Sequence, residues 1–386
     1  MSSPSNKLPL QRVAPVAYVL LGLMALAVVL GFCLNGEWGA FFKASWEGAL
    51  MALVGVLAYV GLESRIACAF AWLLVGVLLV FIVVCNMGLV AAIYSGGAAG
   101  KSISLHSLPP GATRILACVT AASVMAALTA LLPLLNSFRR ICSVITGNEE
   151  WTSVRVMALG GVVAIALLLF VPLFALGEAP LLALMKQNAP VATKLLNEAS
   201  DSAGVLRGEM YSLCWSLLAA TLAVGFGVRR NWRECLERLG MVRLSPRQIG
   251  VALGLTALVF VLSEGVDFVI SHVWSLFAWP TTEEKAYEAM FKAFSSPAGA
   301  VVIGVTAGFG EEVIVRGILL PRLGILLSSL YFTALHAYQY NWDALLPVFL
   351  FSLVLGLVRK RTSTSVCVIV HGGYDFLVMM ITVLSK

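Results

Sequence analysis

Charged residues are scarce in this sequence, at 12% of 386 residues, where soluble domains have about 25%. Hydrophobic residues make up 60%. So little charge excludes a large water-exposed surface, because a soluble domain needs more polar side chains to cover it. The apolar runs are long enough for many bilayer-spanning segments of about 20 residues each. We therefore predict an all-α, polytopic integral membrane protein, a bundle of about eleven transmembrane helices.

Other absences exclude further classes of protein. None of the eight cysteines forms a Cys-x-x-Cys pair, so neither a disulfide framework nor a thiolate metal site is indicated. The net charge is +6, but no basic stripe with interleaved aromatic residues is present, so no nucleic-acid partner is predicted. In a membrane protein, basic residues in short loops instead set the topology.

Apolar runs between polar connections predict where the chain crosses the bilayer. The candidate spans are 14–34, 45–62, 66–95, 114–136, 154–176, 210–228, 247–274, 297–319, 323–338, 344–358 and 363–384. If every span crosses, most basic residues lie on the side of the N-terminus, which is therefore predicted to be cytoplasmic. The basic segment 229–248 is predicted to form an amphipathic helix on that leaflet, and 281–294 an interfacial helix on the other side.

Ionisable side chains inside spans are informative, because each costs about 2.5–3.5 kcal/mol at mid-span on insertion scales. The later spans hold a dense set of them, namely Glu264, Asp267, His272, Glu311, Glu312, His336, His371 and Asp375. We therefore divide the chain into an N-terminal transmembrane region, 1–230, of unassigned function, and a C-terminal region, 231–386, of about five helices that carries the predicted site.

Helical spacing separates the two adjacent glutamates. Glu312 lies four residues before Arg316, so the two share a helix face and can form an ion pair. Glu311 points elsewhere and lacks this local partner, which suits a general base. The alternative is that both glutamates pair with arginines and only hold helices together.

Two histidine motifs lie on later spans. Phe332 and His336 share one helix face. His371 and Asp375 share another, where the carboxylate can accept from a ring nitrogen and fix its tautomer.

Depth in the membrane provides a check on a shared site. At 1.5 Å of rise per residue, with a turn near Pro321, Glu311, His336 and His371 lie within a layer about 10 Å thick. This predicts one site near the middle of the membrane. Glu264, Asp267 and His272 either support that site or hold helices together.

Together the motifs resemble the signature of the CPBP family, also called the Abi or CAAX-protease family of intramembrane endopeptidases. The family pattern is Glu-Glu-x-x-x-Arg, then Phe-x-x-x-His, then a His followed four residues later by Asn or Asp. In this sequence the motifs are Glu311-Glu312…Arg316, Phe332…His336 and His371…Asp375. The resemblance covers roughly residues 236–386, and 1–230 lie outside it.

The resemblance implies peptide hydrolysis in a hydrophobic or membrane-associated protein or peptide substrate within the lipid bilayer. It implies that Glu311 and His336 activate the attacking water. His371 and Asp375 would lie beside the oxyanion, with the aspartate orienting the imidazole or carrying a proton itself. The motif residues Glu312, Arg316 and Phe332 would support the site.

The catalytic type is open at this stage. The family has been described both as metal-free glutamate proteases and as metal-dependent enzymes. In the second case Glu311, His336 and His371 would hold zinc and leave one position for water. No His-Glu-x-x-His zincin motif is present in the sequence.

Two other functions stay open besides the endopeptidase. Members of this family also serve as non-proteolytic membrane scaffolds or bacteriocin-immunity proteins. A proton-coupled transporter would use Glu311, His336 and His371 as a relay, although the two halves of the sequence show no repeat symmetry. The complete set of motif residues favours the enzyme, and the compact architecture favours a prokaryotic cytoplasmic (inner) membrane.

Overall fold

A computed structural model describes residues 10–95, 111–146, 151–186 and 201–385. These ranges fold into helices and contain no β-strand, which confirms the all-α prediction. The helices are α1 (Leu10–Cys33), α2 (Gly36–Lys43), α3 (Trp46–Val60), α4 (Arg65–Tyr94), α5 (Ala112–Leu128), α6 (Asn136–Thr146), α7 (Ser153–Leu176), α8 (Pro180–Lys186), α9 (Ser202–Ala223), α10 (Trp232–Leu239), α11 (Pro246–Phe277), α12 (Glu284–Met290), α13 (Pro297–Thr306), α14 (Leu320–Leu335), α15 (Trp342–Arg361) and α16 (Thr364–Leu384).

Nine stretches of the described residues are long and apolar enough to cross a membrane. They are Pro15–Cys33, Gly36–Val60, Arg65–Tyr94, Ala112–Leu134, Ser153–Lys186, Pro246–Phe277, Pro297–Leu335, Trp342–Arg361 and Thr364–Leu384. The protein is thus an integral membrane helical bundle, but the predicted count of about eleven spans is not confirmed. The predicted and observed numbers of spans differ for two reasons. Predicted span 210–228 belongs to α9, whose first half carries Arg207 and Glu209, and predicted spans 297–319 and 323–338 lie in a single stretch.

The long stretch Pro297–Leu335 reverses its direction at Gly324. This residue has a φ of +76°, in the left-handed region that favours glycine. Because of the reversal, the ring of Phe332 lies over the guanidinium of Arg316, 5.0 Å from the ring centroid, whereas a straight helix would separate the two by about 24 Å. The turn predicted near Pro321 is therefore present, and its non-helical residue is Gly324. Pro321 itself lies in the first turn of α14, where proline is tolerated.

The segment that carries the adjacent glutamates is wound more widely than an α-helix. Ala307–Glu311 and Val313–Leu319 are π-helical. Single π-helical turns are rare and occur often at functional sites. We call 307–319 the π segment.

A seam of glycines brings the π segment against α16. A Cβ atom added to Gly372 would lie 2.2 Å from the carbonyl oxygen of Gly304, and one added to Gly308 would lie 2.7 Å from that of Val368. Any side chain would clash with backbone here, so only glycine permits this approach. The glycine seam (Gly304, Gly308 and Gly372) therefore sets the distance between the glutamates and the helix of His371.

Helices from the two predicted regions pack together. Helix α9, from the N-terminal region, packs on α3 and also on α13 and the π segment. The division at residue 230 stays a prediction about organisation.

Candidate active site

The described residues surround one large cavity of about 1080 Å³. Its walls come from α8, α9, α11, α12, α13, the π segment, α14, α15 and α16, and most of the lining side chains are apolar. Six carboxylates also line it, namely Glu209, Glu264, Asp267, Glu311, Asp343 and Asp375, and no Lys or Arg is among the lining residues. The cavity can therefore hold an apolar chain segment, and its charge favours a neutral or basic one over an acidic one.

Behind one wall lies a group of polar side chains that we call the buried bracket (Glu312, Arg316, Ser352 and His371). The side chain of Glu312 is 0% exposed and that of Arg316 is 1% exposed. Arg316 Nη1 donates to Glu312 Oε1 over 2.8 Å, and Arg316 Nη2 donates to the Ser352 carbonyl oxygen and Oγ over 3.2 and 3.1 Å. The ion pair predicted from spacing is thus present, and the bonds to Ser352 offset the desolvation of Arg316. Glu312 Oε2 is buried without a hydrogen-bond partner among the described residues.

The buried bracket also fixes the ring of His371. Nδ1 donates to Glu312 Oε1 over 2.8 Å. The other ring nitrogen, Nε2, lies 3.9 Å from Glu311 Oε2 and 3.5 Å from Asp375 Oδ2. The sequence predicted that Asp375 fixes the tautomer, but the structure gives that hydrogen bond to Glu312, because Arg316 holds this carboxylate against the ring. Nε2 consequently faces the carboxylates of the cavity.

The two adjacent glutamates differ sharply in exposure. The side chain of Glu311 is 36% exposed and lines the cavity, whereas that of Glu312 is completely buried. Glu311 is thus accessible to a water molecule and a substrate, and Glu312 is not. The direction of the two side chains agrees with the spacing argument, although the local helix is π rather than α.

His336 lies at the end of α14 and lines the same cavity. Its Nδ1 donates to the Phe332 carbonyl oxygen over 3.0 Å, and its ring stacks on Tyr340 with centroids 5.7 Å apart. These contacts orient Nε2 away from its own helix. His336 forms no ion pair with Glu311 or any other carboxylate of the described residues, so the two predicted water-activating groups face one cavity without touching.

The remaining predicted residues separate into two groups. Glu264 and Asp267 on α11 line the cavity, whereas His272 does not line it and is exposed on the surface of the same helix. The predicted supporting role therefore has a structural basis for the two carboxylates only.

Two lining carboxylates were missed from the sequence. Glu209 lies on α9, in the region to which no function was assigned, and its only signal was a charge beside a predicted span. Asp343 lies in the first turn of α15 and accepts hydrogen bonds from Thr282 N and Oγ1 over 2.7 and 2.8 Å. A carboxylate at that position also interacts favourably with the helix dipole.

The N-terminal region holds the turn that follows His336. The hydroxyl of Tyr338 donates to Asn86 Oδ1 in α4. The amide of Asn86, which is fully buried, donates to the Leu168 carbonyl oxygen over 2.9 Å and to Ser123 Oγ over 3.2 Å. Leu181 N donates to the Tyr338 carbonyl oxygen over 3.0 Å. Residues far from the motifs thus position one edge of the cavity.

The residues named for zinc do not form a metal site here. Among the described residues, no three His, Cys, Asp or Glu side chains are placed to share a metal ion. Glu311 and His371 approach each other, but His336 stays apart from both. The arrangement does not fit a three-ligand zinc centre, and we derive no step through one.

Comparison with known proteins supports the family resemblance. Residues 293–377 match the family model of type II CAAX prenyl endopeptidases, Rce1-like, which confirms the resemblance found in the motifs. The matched part is less than half of the chain and narrower than the expected 236–386, but it contains every motif residue from Glu311 to Asp375. There is no significant match to a curated protein or to a solved structure. The match supports an intramembrane protease in general terms.

Proposed function

We propose that the protein is an intramembrane endopeptidase that hydrolyses a peptide bond of a hydrophobic or membrane-associated segment, with Glu311 as the base. The observation that carries the proposal is the contrast within one dipeptide: Glu311 is open to the cavity, while Glu312 is sealed and holds His371. Adjacent identical residues with separate environments can take separate roles.

The proposed reaction begins with water between Glu311 and the scissile carbonyl. Glu311 takes a proton from the water while the water oxygen attacks the carbonyl carbon. His336, which lines the same cavity, orients the water or the substrate through Nε2. Glu311 then returns the proton to the leaving nitrogen as the C–N bond breaks, so that one water is consumed and a carboxyl and an amine group result.

The negative charge that develops on the carbonyl oxygen needs a fixed donor. When both ring nitrogens of His371 carry protons, Nδ1 donates to Glu312 and Nε2 donates to this oxygen. Asp375, 3.5 Å from Nε2, supports the charged ring. The buried bracket limits reorganisation, because Arg316, itself bonded to Ser352, holds Glu312 before the substrate arrives.

The cavity indicates the substrate class. Apolar walls suit a transmembrane or lipid-proximal segment, and the carboxylates disfavour acidic side chains near the cleaved bond. The proposal includes a cytoplasmic N-terminus, a location in a prokaryotic cytoplasmic membrane, and a C-terminal region, 231–386, that carries the chemistry.

The test uses the full chain purified in a neutral detergent and a panel of membrane-segment peptides, with products identified by mass spectrometry. We expect the wild type to cleave at least one peptide at a defined bond, and Glu311→Gln and His336→Ala to lose that activity. Glu264→Gln, which also removes a cavity carboxylate, is the matched control and should keep most of it. A wild type that cleaves nothing in the panel, or a Glu311→Gln variant as active as the wild type, would contradict the proposal.

A further inference from the structure

Three arginines converge on one tyrosine near the Gly324 turn. The hydroxyl oxygen of Tyr59 accepts from Arg322 Nη2 over 2.7 Å and from Arg230 Nη1 over 2.9 Å. Arg238 lies close to both: burial, together with the positive charges of Arg322 and Arg230, lowers its pKa to about 9. We call Tyr59, Arg230, Arg238 and Arg322 the arginine cluster.

The arginine cluster has no carboxylate partner within the described residues. Arginines close to the cluster in sequence do have carboxylate partners: Arg229 pairs with Glu63, and Arg233 pairs with Glu237. Arg230, Arg238 and Arg322 form no ion pair with a carboxylate in the part of the chain that the structure describes, although Arg322 is only 9% exposed. Like charges brought together at low dielectric repel each other strongly, so an anion bound between them would stabilise this arrangement.

Donor groups for an anion are available in the cluster. A guanidinium carries five N–H donors, and hydrogen bonds to protein atoms use at most two on each arginine. The Tyr59 oxygen accepts two of these bonds, so its own O–H group can donate outward. Tetrahedral oxyanions suit such a set, because the planar guanidinium donates two parallel bonds to a phosphate.

We propose that the arginine cluster binds a phosphate-bearing anion, and that its source is the headgroup of an anionic membrane lipid. Arg230 and Arg238 are partly exposed, so the cluster reaches the molecular surface. Helix α10, which carries Arg238, also presents Trp232 at 55% exposure, as expected for a helix at a membrane interface. A membrane surface supplies such headgroups at high local density, and a soluble phosphate compound would offer the same chemistry.

The bound lipid would join the two predicted regions of the chain. Tyr59 belongs to α3, Arg230 to the turn after α9, and Arg322 to α14. Arg238 Nη1 also donates to the carbonyl oxygen of Gly317 in the π segment over 2.9 Å. An occupied cluster would therefore stabilise the segment that carries Glu311, at a distance from the cavity and without contact with substrate.

The test measures thermal unfolding of the full chain in neutral detergent, with added phosphatidylglycerol, phosphatidylcholine or inorganic phosphate. We expect phosphatidylglycerol to raise the unfolding temperature by several degrees, and the other two additives to have little effect. Arg238→Gln should lose most of that shift. Arg233→Gln removes the same charge from the same helix at an 88% exposed position, and it should keep the shift.

Each outcome decides the proposal. An equal response to phosphatidylglycerol and phosphatidylcholine, or equal losses in Arg238→Gln and Arg233→Gln, would overturn it, since surface charge or lipid in general would then suffice. A full response to inorganic phosphate alone would overturn the lipid source. If Arg238→Gln does not fold, Arg230→Gln is used in its place. Native mass spectrometry then counts the phosphatidylglycerol molecules that Arg230→Gln and the control Arg233→Gln each retain. Retention by Arg230→Gln equal to that of the control would also contradict the site.

Discussion

Charged side chains have opposite environments on the two sides of the Glu311-Glu312 pair: they are open to the cavity on one side and buried in ion pairs on the other. On the cavity side, carboxylates face open space and no Lys or Arg lines the wall. On the packed side, the buried bracket pairs Glu312 with Arg316 and adds hydrogen bonds to Ser352 and His371. Accessible charge is available for chemistry, whereas charge that is paired and buried holds structure. Substitutions on the two sides should therefore change different measured quantities.

The largest expected effect is on the cavity side. Glu311→Gln should reduce kcat/KM by about a thousandfold, since it removes the proposed base, while the unfolding temperature stays close to that of the wild type because the side chain is partly exposed. Peptide cleavage and thermal unfolding are measured on the same preparation. Glu209→Gln, which removes another cavity carboxylate, is the control and should retain activity. A large loss of stability in Glu311→Gln would contradict the view that the cavity side serves chemistry and only the packed side holds structure.

On the packed side, Glu312→Gln should destabilise the protein by about 3 kcal/mol, because it leaves Arg316 buried without its counter-ion. Activity should fall too, since the ring of His371 loses its fixed partner. Glu237→Gln is the matched control: it breaks another four-residue ion pair, Arg233–Glu237, that is exposed at the surface, where such pairs contribute little. Denaturant unfolding in detergent compares the two. Similar stability for both variants would show that the buried pair is not structural.

The charge of the cavity should appear in substrate preference. Of two otherwise identical hydrophobic peptides, the one with Lys near the cleaved bond should have a kcat/KM about tenfold higher than the one with Glu. The ratio should shrink as salt is added, because ions screen open charges. Competition between the two peptides at two ionic strengths measures the ratio of their kcat/KM values and its dependence on salt. A preference for the Glu peptide would mean that the lining carboxylates do not face the substrate.

The smallest effect is expected at the edge of the cavity. Tyr338→Phe leaves Asn86 Oδ1 buried without its donor, which should cost about 1–2 kcal/mol. It should also lower kcat a few-fold with KM nearly unchanged, because the turn after His336 becomes less fixed. Tyr211→Phe is the control, since that hydroxyl bonds to Glu37 at an exposed position. Equal kcat and KM for the two variants would show that the N-terminal region does not position the site.

Much of this arrangement was predictable from local spacing. Four-residue intervals placed Glu312 with Arg316, and the cost of charge in lipid pointed to the motif residues. Spacing does not encode which helices become neighbours. Consequently the sequence did not reveal that Glu312 rather than Asp375 holds His371, or that Glu209 of the N-terminal region reaches the cavity. The sequence left the role of His272 open for a related reason: a helical face is known from the sequence, but the element that covers it is not.

The glycine seam has a consequence for engineering. Because Gly304, Gly308 and Gly372 meet backbone to backbone, no rotamer change can accommodate even one methyl group there. Alanine at Gly372 would move α16 as a rigid body and carry His371 and Asp375 away from Glu311, without altering any reacting group. The seam acts as a fixed spacer, and changing it offers a way to retune the geometry of the site while its chemistry stays the same.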